Sequence, residues 1–281
     1  MNNETELKEL VKEKYGQIAN QSLQQNLSSC CGAGGCGTDG TYTIMADDYT
    51  SLEGYNPDAD LGLGCGLPTQ FAKIKKGDVV IDLGSGAGND AFIARYETGE
   101  TGKVIGIDFT PAMIEKARRN AEVRGFHNVE FRQGDIEKMP VTANTADVIV
   151  SNCVLNLVPN KEAVIKEIYR VLKPGGHFSI SDIVLEGELP AGIQQAAEMY
   201  AGCVAGAIQK QDYLHLIEAA GFQQITVQKD KTINIPDDIL KQYLNNEQLL
   251  SFRQSGTGIK SITVYAEKPT EEACCKPGCC N

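Results

Sequence analysis

Cysteine is the residue type in this chain most suited to chemistry, and its placement is grouped. Ten of the 281 residues are cysteines. Cys30, Cys31 and Cys36 lie in Ser-Ser-Cys-Cys-Gly-Ala-Gly-Gly-Cys-Gly-Thr-Asp-Gly (28–40), Cys65 in the turn Gly62–Pro68, Cys153 in Ser151–Leu157, and Cys203 in Ala201–Ala207. Two vicinal pairs, Cys274-Cys275 and Cys279-Cys280, stand near the end of the sequence. In a reducing compartment thiols stay free, so this clustering points to soft-metal or redox chemistry more than to a disulfide framework. Adjacent ligands such as the terminal pairs rarely close a tetrahedral zinc site unaided. His127, His177 and His215 form no metal-binding doublet and read as solvated or capping residues.

A second chemical feature is Asp82-Leu83-Gly84-Ser85-Gly86-Ala87-Gly88, directly after a β-branched run. Its glycines fall where the backbone must turn tightly and let a ligand approach without obstruction. Asp108 follows twenty positions after Gly88, at the end of the next β-branched run, where a carboxylate can accept from both ribose hydroxyls of a nucleoside. Together they read as a site for an adenosine-containing ligand. Without a ligand, the same residues would make a tight strand-to-helix turn and a helix cap before Pro111.

The elements that position these groups are legible from period and punctuation. Short apolar runs at Val79–Ile81, Val104–Ile107, Val129–Phe131, Val148–Val150 and Phe178–Ile180 alternate with helical stretches such as Pro111–Arg124 and Lys161–Leu172. That alternation predicts βαβ units, an α/β fold and a parallel sheet. Pro111 suits a first helical position, and Lys173-Pro174-Gly175-Gly176 is expected to stop the later helix. Residues 4–27 have helical spacing, residues 190–220 and Pro236–Leu250 read as helical, and Gln224–Val227 and Ile262–Ala266 as strands. The expected organisation is an N-terminal helix and Cys/Gly-rich loop over 1–66, a cofactor-binding core over 67–186, a C-terminal α+β substrate-binding region over 187–268, and a Cys-rich tail over 269–281 without fixed structure.

Composition narrows the function classes. A formal net charge of -11 gives no footing for DNA or RNA. The N-terminus carries acids where a secretion signal needs positive charge, and no stretch approaches the roughly 18 apolar residues of a membrane span. A cytoplasmic, monomeric protein acting on a small molecule is the expectation.

In Gly86-Ala87-Gly88 the last two glycines stand one residue closer than in the dinucleotide fingerprint, and an acid, Asp82, precedes the loop. This variant resembles the S-adenosylmethionine methyltransferase superfamily, as do Gly134-Asp135-Ile136-Glu137-Lys138-Met139-Pro140 and Val171-Leu172-Lys173-Pro174-Gly175-Gly176. The resemblance implies a Rossmann-like core with a mostly parallel sheet. It further implies that Asp135 and Ile136 contact adenine, Asp108 the ribose, and Asp82, Gly84, Ser85, Gly86 and Gly88 the methionine end of S-adenosyl-L-methionine.

Three runs sharpen the likeness: Leu61-Gly62-Leu63-Gly64-Cys65-Gly66, Ser151-Asn152-Cys153-Val154-Leu155-Asn156-Leu157 and Ala201-Gly202-Cys203-Val204-Ala205-Gly206-Ala207. From the N-terminal helix to about residue 225 the chain resembles the arsenite S-adenosylmethionine methyltransferases. That resemblance implies that Cys65, Cys153 and Cys203 bind trivalent arsenic as substrate and that Cys30 joins in thiol exchange, with Cys31 and Cys36 near enough to compete. It implies disulfide cycling restored by a thiol reductant such as thioredoxin or glutathione, with arsenite and methylated arsenicals as partners. Larger members carry an aromatic residue before the Gly-Cys-Gly turn, where this chain has Leu63-Gly64.

Several readings stay open at the level of sequence. The Gly134-Asp135 and Lys173–Gly176 motifs also suit a C- or O-methyltransferase of a small organic or quinone-like acceptor, and a soft-metal binding protein on a cofactor fold is a third possibility. Asn152 and Asn156 could orient a ligand or simply form turns. The terminal cysteine pairs could be incidental, could sequester zinc or copper, or could capture arsenic.

Overall fold

A computed structural model describes residues 4–20, 47–190, 193, 204, 206–235, 237–241 and 243–270. The β-branched runs form β1 (Val79–Leu83), β2 (Lys103–Asp108), β3 (Val129–Gln133), β4 (Ala146–Asn152) and β5 (Leu172–Glu186), followed by β6 (Gln223–Ile233) and β7 (Gly258–Glu267). They make one seven-stranded sheet in the order β3-β2-β1-β4-β5-β7-β6. The first five strands run parallel, and β7 is antiparallel to both its neighbours. Segment 187–268 thus contributes two strands to the same sheet as the core.

The helices are α1 (Glu4–Ala19), α2 (Pro68–Phe71), α3 (Asn89–Thr98), α4 (Pro111–Val123), α5 (Lys161–Val171), α6 (Lys210–Ala219), α7 (Asp237–Leu240) and α8 (Asn246–Gln254). Parallel strands covered on both faces must be apolar on both, and they are. Ile81, Ile105 and Ile149 pack toward Val164, Ile165 and Ile168 of α5 and Ile217 of α6. Their neighbours Val80, Val104 and Val148 pack toward Phe92 of α3 and Met113, Ile114 and Ala117 of α4. Helices α4, α5 and α6 present their buried residues at three- and four-residue spacing, as a stripe facing the sheet requires, whereas α3 buries Ala91 to Ala94 in succession. Pro111 opens α4, and the Asn160 side chain caps α5 by accepting from the Ala163 N–H.

The expected elements needed several revisions. The described N-terminal helix is Glu4–Ala19, with Lys116 of α4 donating to the Ala19 carbonyl, and the expected continuation over 21–27 lies outside the described residues. Within 190–220 the described helix is Lys210–Ala219, and most of 191–205 lies outside the described residues. The helix expected over 236–250 divides into α7 and α8, because Asn245 and Gln248 form a reciprocal capping box that starts a new helix. Lys173-Pro174-Gly175-Gly176 does more than end α5. The strand begins at Leu172 opposite Ala146 and resumes register at His177 opposite Val148, so these residues bulge out of the ladder.

Among the described residues no helix is long and apolar enough to cross a membrane.

The core packing makes two predictions. Phe178 is fully buried and meets Phe222 edge-on with ring centroids 4.9 Å apart. Truncation to Phe178→Ala is expected to cost about 3 to 5 kcal/mol, read as a lower midpoint in urea unfolding. Asp182 on β5 is also fully buried, and burial raises its carboxyl from 3.8 to about 7, partly offset by N–H donors from Ile183 and Leu155. The native state therefore binds this proton more tightly than the unfolded chain, so stability from this group is complete below about pH 4 and is lost as pH rises toward 7. Asp182→Asn removes that loss: thermal unfolding at several pH values should find it more stable than the parent at pH 8, with the gap closing toward pH 4.

Candidate active site

The strand order reverses at β1, which has β2 on one side and β4 on the other. Leu83 is in register with Ile107 and with Ser151, so the chain leaves all three strands at one level and a crevice opens at their carboxyl ends. The cleft there holds about 1050 Å³ of open space. Its lining includes the glycine loop, Asp108, Asp135, Ile136 and Cys153. Gly84 turns the loop with φ 66°, and a Cβ at this position would lie 2.4 Å from a Val154 methyl. Any larger residue would drive the glycine loop away from the Cys153 turn.

Carboxylates dominate the cleft. Asp60, Asp82, Asp90, Asp108 and Asp135 line it. Asp108 accepts from the Gly86 N–H at 3.0 Å and from the Thr110 N–H at 2.8 Å, so one side chain braces the glycine loop and starts α4. Asp108 thus lines the cleft with both carboxylate oxygens engaged by backbone N–H groups, while the N-cap of α4 is Thr110, which makes no side-chain cap. Burial, with Asp90 and Asp108 close by, pushes the Asp82 carboxyl well above the usual carboxylate range. Burial raises Asp90 to about 6 even though Asn152 and Tyr49 donate to it. One oxygen of Asp82 and one of Asp90 are buried without a hydrogen-bond partner. Buried carboxylate oxygens without a partner are costly unless a cationic or donor group joins them.

Helix α1 closes part of the cleft. Lys8 lies 2.7 Å from Asp135 and also pairs with Glu137, while Tyr15 and Ile18 pack with the cluster containing Met113 and Ala117. Lys8 and Tyr15 both line the cleft.

Cys65 and Cys153 meet at its edge. They are joined by a disulfide with Cα atoms 5.8 Å apart, within the ordinary range for such a bond. Cys153 follows β4 directly, has φ 59°, and extends the ladder through its N–H to the Ser181 carbonyl at 2.8 Å. Cys65 is held by its backbone: its N–H donates to Asn152 Oδ1 at 3.0 Å, and its carbonyl accepts from Ser261 Oγ at 2.6 Å. Ile183, Val204, Ile235, Leu240, Leu244 and Ile259 enclose the pair in apolar surface. Cys203 and Cys30, with Cys31 and Cys36, lie outside the described residues.

Sequence reasoning passed over Tyr49, Asp90 and Lys8, and left Asn152 undecided. Asp90 follows Gly88 by two positions and could have been flagged as an acid at a helix start beside the loop. Tyr49 had no local signal. Its hydroxyl lies 3.0 Å from both the Gly66 carbonyl and Asp90 Oδ2, which brings a phenol to the Gly64-Cys65-Gly66 turn.

Comparison with known proteins agrees with this geometry. Residues 74–221 match the methyltransferase domain family. The arsenite methyltransferase of Halobacterium salinarum is 38% identical over 282 aligned positions, covering 95% of this chain and 68% of the relative. The crystal structure of an arsenic(III) S-adenosylmethionine methyltransferase from Chlamydomonas reinhardtii superposes with a TM-score of 0.61 at 32% identity, over 80% of this chain and 72% of that one. The demethylmenaquinone methyltransferase of Lactobacillus johnsonii aligns over half of this chain and 57% of its own length, at 36% identity. That match covers half of this chain, whereas the likeness to the arsenite enzyme of Halobacterium salinarum covers 95% of it: the chain belongs to the arsenite methyltransferase family.

Proposed function

We infer that this chain methylates trivalent arsenic held on cysteine thiolates, and that Cys65 and Cys153 are two of the thiolates. The observation that carries the assignment is their convergence, 5.8 Å apart, with Cys153 lining the acid-rich cleft at the sheet's switch point and Cys65 buried beside it.

S-adenosylmethionine supplies, when bound, a methyl group on a positively charged sulfur. The residues present fit it. The free oxygens of Asp82 and Asp90 suit its cationic end, Gly84, Ser85 and Gly86 leave room beside them while Gly88 lets the loop close against Phe92 and Phe131, Asp108 suits the ribose, and Asp135 and Ile136 suit adenine. Lys8 ties α1 to Asp135 over that end of the cleft.

Arsenic(III) is soft, so thiolates displace its oxygen ligands, and three sulfurs leave its lone pair free as the nucleophile. No general base is then required. Cys203 is the third ligand in this reading. It is supported by Val204, the next residue, which is 4% exposed in the apolar cluster that includes Cys65 and Cys153. The same cluster keeps water from the sulfurs, and the chain's task is positioning, with the arsenic held about 3 to 3.5 Å from the carbon it attacks.

Methyl transfer to the lone pair forms an As–C bond, releases S-adenosylhomocysteine and takes arsenic from +3 to +5; two of its cysteine thiolates then close to a disulfide, breaking two As–S bonds and returning two electrons, so that methylated As(III) remains on the third thiolate with water or a small thiol taking the vacated place. The Cys65–Cys153 bond is a pair able to do so. Reopening it consumes two thiols from a cellular reductant such as thioredoxin or glutathione, which leave as one disulfide. Cys30, or its neighbours Cys31 and Cys36, takes part in this exchange.

Purified enzyme with arsenite, S-adenosylmethionine and glutathione should yield methylated arsenicals by arsenic-specific chromatography, and a yield no higher than the no-enzyme control would refute the reading. Cys153→Ser and Cys203→Ser should each lower the rate by on the order of 10² or more. Asp108→Ala should raise the dissociation constant for S-adenosylhomocysteine by roughly ten- to a hundredfold in calorimetry, since a buried charged acceptor is lost.

A further inference from the structure

The Cys65 turn is gripped by one side chain from the neighbouring strand. Asn152, the last residue of β4, accepts from the Cys65 N–H at 3.0 Å through Oδ1 and donates to the Gly66 carbonyl at 2.8 Å through Nδ2. A single carboxamide thereby satisfies the donor of one turn residue and the acceptor of the next, as a paired strand would. Asn152 also immediately precedes Cys153, so the group that grips one cysteine is covalently adjacent to the other.

The grip is tight enough to dictate the turn's sequence. A Cβ on Gly64 would lie 2.8 Å from Asn152 Nδ2, and one on Gly66 would lie 2.5 Å from Ser181 Oγ. The glycines on either side of Cys65 are therefore the condition for its backbone to reach Asn152. The carboxamide is itself fixed: Asp90 Oδ2 at 3.2 Å and the Tyr49 hydroxyl share with the Gly66 carbonyl the two hydrogens of Nδ2, and the Tyr49 hydroxyl lies 3.0 Å from both the Gly66 carbonyl and Asp90 Oδ2. A residue serving only to end β4 would need none of these contacts.

The geometry points to Asn152 as the positioning residue that holds Cys65 at reacting distance from Cys153, with Asp90 and Tyr49 fixing its amide. The assignment rests on the reading of these two cysteines as the arsenic-binding pair only for its consequence in the reaction, since the positioning itself can be measured without arsenic.

The measurement is the equilibrium in which the Cys65–Cys153 disulfide and two glutathione molecules exchange for two protein thiols and oxidised glutathione, followed by mass spectrometry after alkylation. It gives the effective concentration of one thiol at the other. Asn152→Ala should lower it by about tenfold, as expected for losing two buried hydrogen bonds to the turn. Asn152→Asp tests the donor separately. When ionised it keeps the acceptor for Cys65 but cannot donate to Gly66 and faces Asp90, with Asp60 and Asp82 beyond. When protonated it is nearly isosteric with asparagine and restores both bonds. The ratio of Asn152→Asp to parent should therefore be low at pH 8 and return toward one near pH 5, a recovery that a loosened fold would not give. Urea unfolding and S-adenosylhomocysteine binding verify that each variant is folded.

Capture of phenylarsine oxide, which takes two thiols, should weaken in parallel when read as protection of Cys65 and Cys153 from alkylation by peptide mass spectrometry. If the reduced parent captures none, the reading of the pair as arsenic ligands fails while the exchange measurement still stands. If folded Asn152→Ala keeps the parent's effective concentration within about twofold, the positioning role is overturned.

Discussion

The double pairing of β1 is the constraint on which the site depends. Its last residue, Leu83, is in register with both Ile107 and Ser151, so the glycine loop, Asp108 and the Asn152-Cys153 turn all begin within a residue or two of one row across the sheet. Parallel pairing gives every strand the same exit edge, and the reversal of strand order at β1 sends the loops to opposite sides. Three segments far apart in sequence thus reach one crevice without any of them being long. A slip of one residue would turn Asp82 from the cleft and bury an isoleucine or leucine there instead, because side-chain direction alternates along a strand.

Electrostatics then shapes what the crevice accepts. Five aspartates line it, and Lys8 is the lysine that α1 contributes. The burial that makes the cleft selective also makes Asp82 and Asp90 reluctant to ionise. A cationic ligand relieves that cost, so part of its binding energy arises from a penalty already present in the fold. The acidic chain as a whole repels polyanions and leaves a small cationic cofactor as a natural guest.

The parts of this design carried by local sequence were legible. The glycine loop, Asp108 and the helix opened by Pro111 depend on contiguous residues, and the alternating runs placed every parallel strand correctly. Strand ends were less legible: β5 runs from Leu172 because the Lys173–Gly176 stretch bulges within a ladder instead of preceding it, and only the partner strand reveals this. Least legible were Tyr49, Asp90 and Asn152, whose mutual contacts join positions 41 to 103 residues apart. A buried polar group is recognisable only once its partners are in place. The cysteines were conspicuous from the start, but the reason for the glycines around Cys65 was not, since it lies in the side chains of Asn152 and Ser181.

Portability of the site follows from this. Transplanting thiols to the positions of Cys65 and Cys153 in a methyltransferase that acts on carbon or oxygen would leave the first cysteine on a turn free to drift, unless the flanking glycines and the strand-end carboxamide travelled with it. The second cysteine would also need a scaffold that tolerates φ 59° directly after a central strand, a conformation that β-branched residues resist. The smallest unit an engineer could move is therefore the two cysteines, two glycines and one asparagine as a set.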